Sequence, residues 1–126
     1  MDDAPINVVL ADDDEGFLTS LRELVDRQPE LHVVAVARNG MEAIECADAH
    51  APDAAVIDLH MPLLDGVTAI ARLRQDHASL CLIALTGDAD PDLHRAVRQA
   101  GADAVLEKGE MVGMLIDRLT RLRPAR

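Results

Sequence analysis

Three consecutive aspartates, Asp12, Asp13 and Asp14, follow the apolar run Ile6 to Ala11, and a fourth, Asp58, closes a second apolar run that begins at Ala54. If folding brings Asp12, Asp13 and Asp58 into one crevice, the three cannot all stay ionised without a cation, because like charges at close quarters raise each other's pKa. Mg²⁺ suits such a place: it takes hard oxygen ligands and commonly bridges one or two carboxylates to a phosphate. His60 would add only its backbone carbonyl, since imidazole is a poor ligand for this ion. Thr86 offers a hydroxyl donor and Lys108 a mobile point charge with three donors, a pair suited to holding phosphoryl oxygens. Lys108 is the only lysine in the chain; every other basic residue except histidine is arginine.

The elements that must position these residues are legible as alternating patterns. Five apolar runs, Ile6 to Ala11, Leu31 to Ala37, Ala54 to Asp58, Leu80 to Leu85 and Ala104 to Glu107, read as strands buried on both faces of a parallel sheet. Between them the period becomes helical. Phe17, Leu18, Leu21, Leu24 and Val25 form one stripe, ending before Pro29; Ile44 and Ala47 mark a second helix opened by Asn39-Gly40. Val67, Ile70 and Leu73 mark a third after Asp65-Gly66. Leu93, Ala96, Val97 and Ala100 mark a fourth between Pro91 and Gly101, and Val112, Leu115, Leu119 and Leu122 a fifth. The fold expected is α/β: a doubly wound (βα)5 flavodoxin-like domain with a five-stranded parallel sheet in the order 2-1-3-4-5. Its ligand crevice lies at the carboxyl ends of the strands, where Asp12, Asp13, Asp58, Thr86 and Lys108 all fall.

The 126 residues are expected to form one domain, its core about 6–122, with the arginine-rich end, Arg121 to Arg126, a tail or the start of a linker. A formal net charge of −11 argues against direct nucleic-acid binding and against anionic membranes. No basic-then-apolar leader and no membrane-length apolar run occurs, so a cytoplasmic location is expected. Cys46 and Cys81, without ligand spacing, read as buried free thiols of a reducing compartment. The five histidines are scattered, with no ligand spacing.

LADDDE at 10–15, VIDLHMPLLDG at 56–66, ALTG at 84–87 and LEKG at 106–109 resemble, in order and spacing, the receiver domain of two-component response regulators. The resemblance covers roughly residues 6–122. It implies that Asp12 and Asp13 bind Mg²⁺ and that Asp58 accepts a phosphoryl group from the phosphohistidine of a sensor histidine kinase. It also implies that Thr86 is the switch hydroxyl and Lys108 the lysine that neutralises the transferred group. The chain would then be a signalling switch rather than a turnover enzyme, passing its output to another protein or a missing output domain, with a phosphorylation-dependent homodimer as one form. Two positions depart from the pattern: Val105 stands where Tyr or Phe is common, and Gly109 where proline is common. An aromatic rotamer switch therefore cannot operate, and the loop is similar to that of receivers of the LuxR/NarL type. The bland alternative makes Asp12 to Asp14 helix caps and the chain a degenerate receiver that only docks. A haloacid-dehalogenase-like phosphatase would need a second Asp where His60 stands, and the acidic triplet and near absence of aromatic residues argue against a flavodoxin-like cofactor binder.

Overall fold

A computed structural model describes residues 4–109 and 112–122. Its strands are β1 (Ile6–Ala11), β2 (Leu31–Ala37), β3 (Ala54–Asp58), β4 (Cys81–Thr86) and β5 (Ala104–Glu107). They alternate with α1 (Glu15–Asp26), α2 (Gly40–His50), α3 (Gly66–Asp76), α4 (Pro91–Ala100) and α5 (Val112–Thr120). All strand pairs are parallel, in the order β2-β1-β3-β4-β5.

Period-two alternation along the strands divides the interior into two cores. Val8, Leu10, Val56, Ile83, Leu85 and Leu106 face Leu18, Leu21 and Val25 of α1 and Leu115 and Leu119 of α5. Val9, Ala11, Ile57, Leu82, Ala84 and Val105 face Ile44, Ile70, Leu73 and Val97 of α2, α3 and α4. Each of the first four helices starts where a side-chain oxygen satisfies an orphan backbone N–H. Asp14 accepts from Phe17, Asn39 from Glu42, Asp65 from Thr68 and Asp90 from Asp92. Asp14 is thus a cap, while Asp12 and Asp13 are left for the crevice.

The structure corrects several expectations. β4 begins at Cys81, not Leu80, because the Leu80 N–H closes the preceding turn on His77 O. β2 is an edge strand, so Val34, Ala35 and Val36 are only partly buried rather than enclosed on both faces. In α4 only Val97 is buried and Ala96 is exposed, because this helix lies over the short edge strand β5. Cys46 and Cys81 are free but half-buried, and burial pushes both thiols up from their ordinary pKa. The side chain of Val112 and the tail residues 123–126 lie outside the described residues.

Arg74, at the end of α3, joins elements the pattern could not connect. Its guanidinium donates to the carbonyls of Gly101, Ala78 and Leu80 and pairs with Asp103 at 2.8 Å. Asp103 in turn accepts from Leu82 N–H, so the entry to β4 and β5 is tied to α3.

Candidate functional site

The site is built from strand ends. Asp12 extends β1 by one residue, its N–H donating to Ala37 O at 3.0 Å, and its Oδ1 accepts from Asp14 N–H at 2.9 Å. Asp58 is the last residue of β3, in register with Leu85 of β4. Lys108 follows β5, its N–H donating to Thr86 O at 2.8 Å, which sets Lys108 beside the end of β4. Asp12, Asp58 and Thr86 are 1%, 2% and 0% exposed, whereas Asp13 is exposed and Lys108 half-buried.

Carboxylate oxygens of Asp12, Asp13 and Asp58 lie within 4.8 Å of one another. The Lys108 ammonium sits 2.8 Å from Asp12 Oδ2 and 3.5 Å from Asp58 Oδ1. Asp12 Oδ2 nonetheless receives no well-directed hydrogen bond. Apart from the Lys108 ammonium, no polar group among the described residues meets this buried oxygen. A cation would satisfy it, and the all-oxygen donor set fits a hard divalent ion. Burial, then the neighbouring Asp12, pushes the Asp58 carboxyl above its ordinary pKa, against the opposing pull of Lys108 and the His60 backbone N–H. Burial alone would lower the Lys108 ammonium, but Asp12 and Asp58 override it and hold its pKa above the ordinary value.

Asp12, Asp13, Asp58 and Lys108, expected from the sequence in one crevice, are brought together there, while Thr86 is fully buried at the end of the neighbouring strand β4. His60 is exposed, and its backbone N–H faces the Asp58 carboxylate. The Thr86 hydroxyl is held by the next loop, accepting from Asp88 N–H at 2.9 Å. Asp88 O accepts in turn from His94 Nε2 of α4 at 2.8 Å. Pattern reading missed His94, an isolated histidine on a polar helix face. It also placed Phe17 merely in the α1 stripe, although the ring lies against Lys108.

A doubly wound sheet with three carboxylates, a hydroxyl and a lysine at its strand ends defines a class of α/β domain built to handle a phosphoryl group beside a cation. The chain belongs to the response regulator receiver domain family, whose model matches residues 8–120. It is 38% identical over 106 residues to a protein-glutamate methylesterase/protein-glutamine glutaminase of Anaeromyxobacter dehalogenans, covering 84% of this chain and 31% of that protein. A counterpart from Carboxydothermus hydrogenoformans is 46% identical over 65 residues, 52% of this chain and 18% of the relative. The chain thus spans less than a third of the length of either. The receiver domain of the putative response regulator NarL from Mycobacterium tuberculosis superposes with a TM-score of 0.85 at 26% identity, covering 94% of this chain and 99% of that one.

Proposed function

We propose that this receiver domain is phosphorylated on Asp58 with Mg²⁺ bound by Asp12, Asp13, Asp58 and the His60 carbonyl, and that a sensor histidine kinase is the donor. The observation that carries this reading is the buried pair Asp12 and Asp58 under one lysine, with Asp12 Oδ2 met only by that ammonium among the described residues. An Asp58 carboxylate oxygen forms a bond to phosphorus as the bond from phosphorus to the donor's histidine nitrogen breaks, and the leaving electron pair stays on the imidazole. The bound cation supplies charge neutralisation for the phosphoryl oxygens. Lys108 balances charge on the same group, and Thr86 donates its hydroxyl to a phosphoryl oxygen once the phosphoryl is in place.

Turning the Thr86 side chain toward the phosphoryl group would stretch the bond its hydroxyl accepts from Asp88 N–H and so disturb the loop that His94 anchors to α4. This route from site to α4 needs no aromatic at Val105, which is packed in the α2-α3-α4 core. The output recipient is another protein or an attached domain, in the cytoplasm, with a homodimer as one phosphorylated form. The activities in the names of the longer relatives are not carried over, because the match covers only a minor part of those proteins. No helix of the described residues is long and apolar enough to cross a membrane.

Intact mass after incubation with acetyl phosphate and Mg²⁺ tests the proposal. Wild type is expected to gain one phosphoryl group, and Asp58→Ala none. An equal gain in both would move the acceptor elsewhere, and no gain in folded wild type would leave only docking.

A further inference from the structure

The only lysine and the only aromatic residue of the chain touch one another: Lys108 Nζ lies 4.4 Å from the centroid of the Phe17 ring. We propose that Phe17 is a positioning residue for phosphoryl transfer, its ring face holding the Lys108 ammonium over Asp12 and Asp58. The inference rests on the reading of Asp58 as phosphoacceptor and assigns α1 a part in the site that no strand-end motif supplies.

Three observations support it. Phe17 is only half-buried although it flanks a well-filled core, so its ring covers the flank of the crevice rather than filling the interior. The Lys108 ammonium contacts Asp12 and Asp58, and those carboxylates are the groups a cation would engage. A lysine held only by carboxylates would lose part of its hold when a cation drew on the same oxygens. The quadrupole of the ring is a hold that the cation does not compete for. Gly109, next along the chain from Lys108, offers no packing to guide it, since it is exposed and an added Cβ there would meet nothing. Phe17, by contrast, is fixed at the start of α1 by the Asp14 cap, which accepts its N–H at 3.1 Å. The flexible four-carbon stem of Lys108 is thereby steered from a rigid helix terminus.

The test compares Phe17→Leu, which keeps an apolar side chain of similar reach, with Phe17→Tyr, which keeps the ring. Phosphorylation by acetyl phosphate at saturating Mg²⁺ is expected to slow about 3- to 10-fold in Phe17→Leu, the factor a lost cation–π contact supplies, and to stay near wild type in Phe17→Tyr. In a Lys108→Met background, Phe17→Leu is expected to have no further effect. A purely structural role for Phe17 would slow that background as well and would overturn the proposal. So would wild-type rates in Phe17→Leu. A second readout needs no phosphorylation. Lysine-selective 13C labelling reports Lys108 alone, and its Cε order parameter is expected to fall in Phe17→Leu and recover in Phe17→Tyr. An unchanged order parameter overturns the positioning role even if wild type takes up no phosphoryl group, and that lack of uptake by itself counts against the reading of Asp58.

Discussion

Burial and the adjacent Asp12 carboxylate raise the pKa of Asp58, so its ionised form is disfavoured by folding. The associated stability is present at pH below the unfolded carboxylate value and is lost as pH rises through the higher folded value, so at neutral pH the charge of Asp58 works against the fold. Asp58→Asn removes that charge and keeps the shape. Its melting temperature at pH 7, without divalent ions, is expected to exceed wild type by a few degrees, the shift that ~1 kcal/mol produces in a domain of this size. The difference should shrink on titration toward pH 3, because wild-type Asp58 takes up its proton on the way, above the ordinary carboxylate value. A thermal melt series over that range checks it; a variant less stable than wild type at pH 7 would mean that the Lys108 pairing outweighs burial. The residues bearing charge at strand ends were legible in the sequence because type and position agreed there. Phe17 was not, since an aromatic in an apolar helical stripe has the same pattern whether it fills a core or flanks a cation.

At the scale of elements, the site depends on how closely helices begin behind the strands. A Cβ at Gly66 would collide with the backbone of Asp58 and Leu59, and one at Gly40 with the backbone and side chain of Leu64. Both glycines open helices, and neither has the positive φ that would otherwise demand glycine. The requirement is close approach, with rigid backbone as the obstacle at Gly66. Gly66→Ala is therefore expected to destabilise the domain by about 1–3 kcal/mol, the range for overpacking, despite the better helix propensity of alanine. Denaturant unfolding measures it, and a neutral or stabilised variant would show that the β3-α3 loop yields easily. Four of the five strands followed from apolar runs because those runs are short, separated by caps and buried, and the strand order followed from the usual winding of a doubly wound sheet. The fully buried character expected of β2 and the inward place of Ala96 in α4 did not follow, since an edge strand and a helix over a short edge carry apolar residues without being enclosed, although Leu93, Val97 and Ala100 do face the core. Arg74 and Asp103 were illegible for a different reason: 29 residues separate them, and only the tertiary fold makes them partners.

For the molecule as a whole, the excess of acid over base raises a question of specificity. A chain with a net charge of −11 is stabilised to some extent by any salt, through screening of self-repulsion. A built cation site adds a separate contribution, since an ion that binds only the folded state stabilises it by RT ln(1 + [L]/Kd), ~1.4 kcal/mol at ten times Kd. The two effects separate at fixed ionic strength. With NaCl adjusted to hold it constant, millimolar Mg²⁺ is expected to raise the melting temperature of wild type by several degrees. Asp13→Asn serves as the control, because Asp13 is exposed and its loss leaves the Lys108 contacts with Asp12 and Asp58 in place. That variant should keep the response to NaCl and lose most of the response to Mg²⁺. Equal Mg²⁺ responses in the two proteins would assign the effect to the charge of the whole surface and remove Asp13 from the cation site.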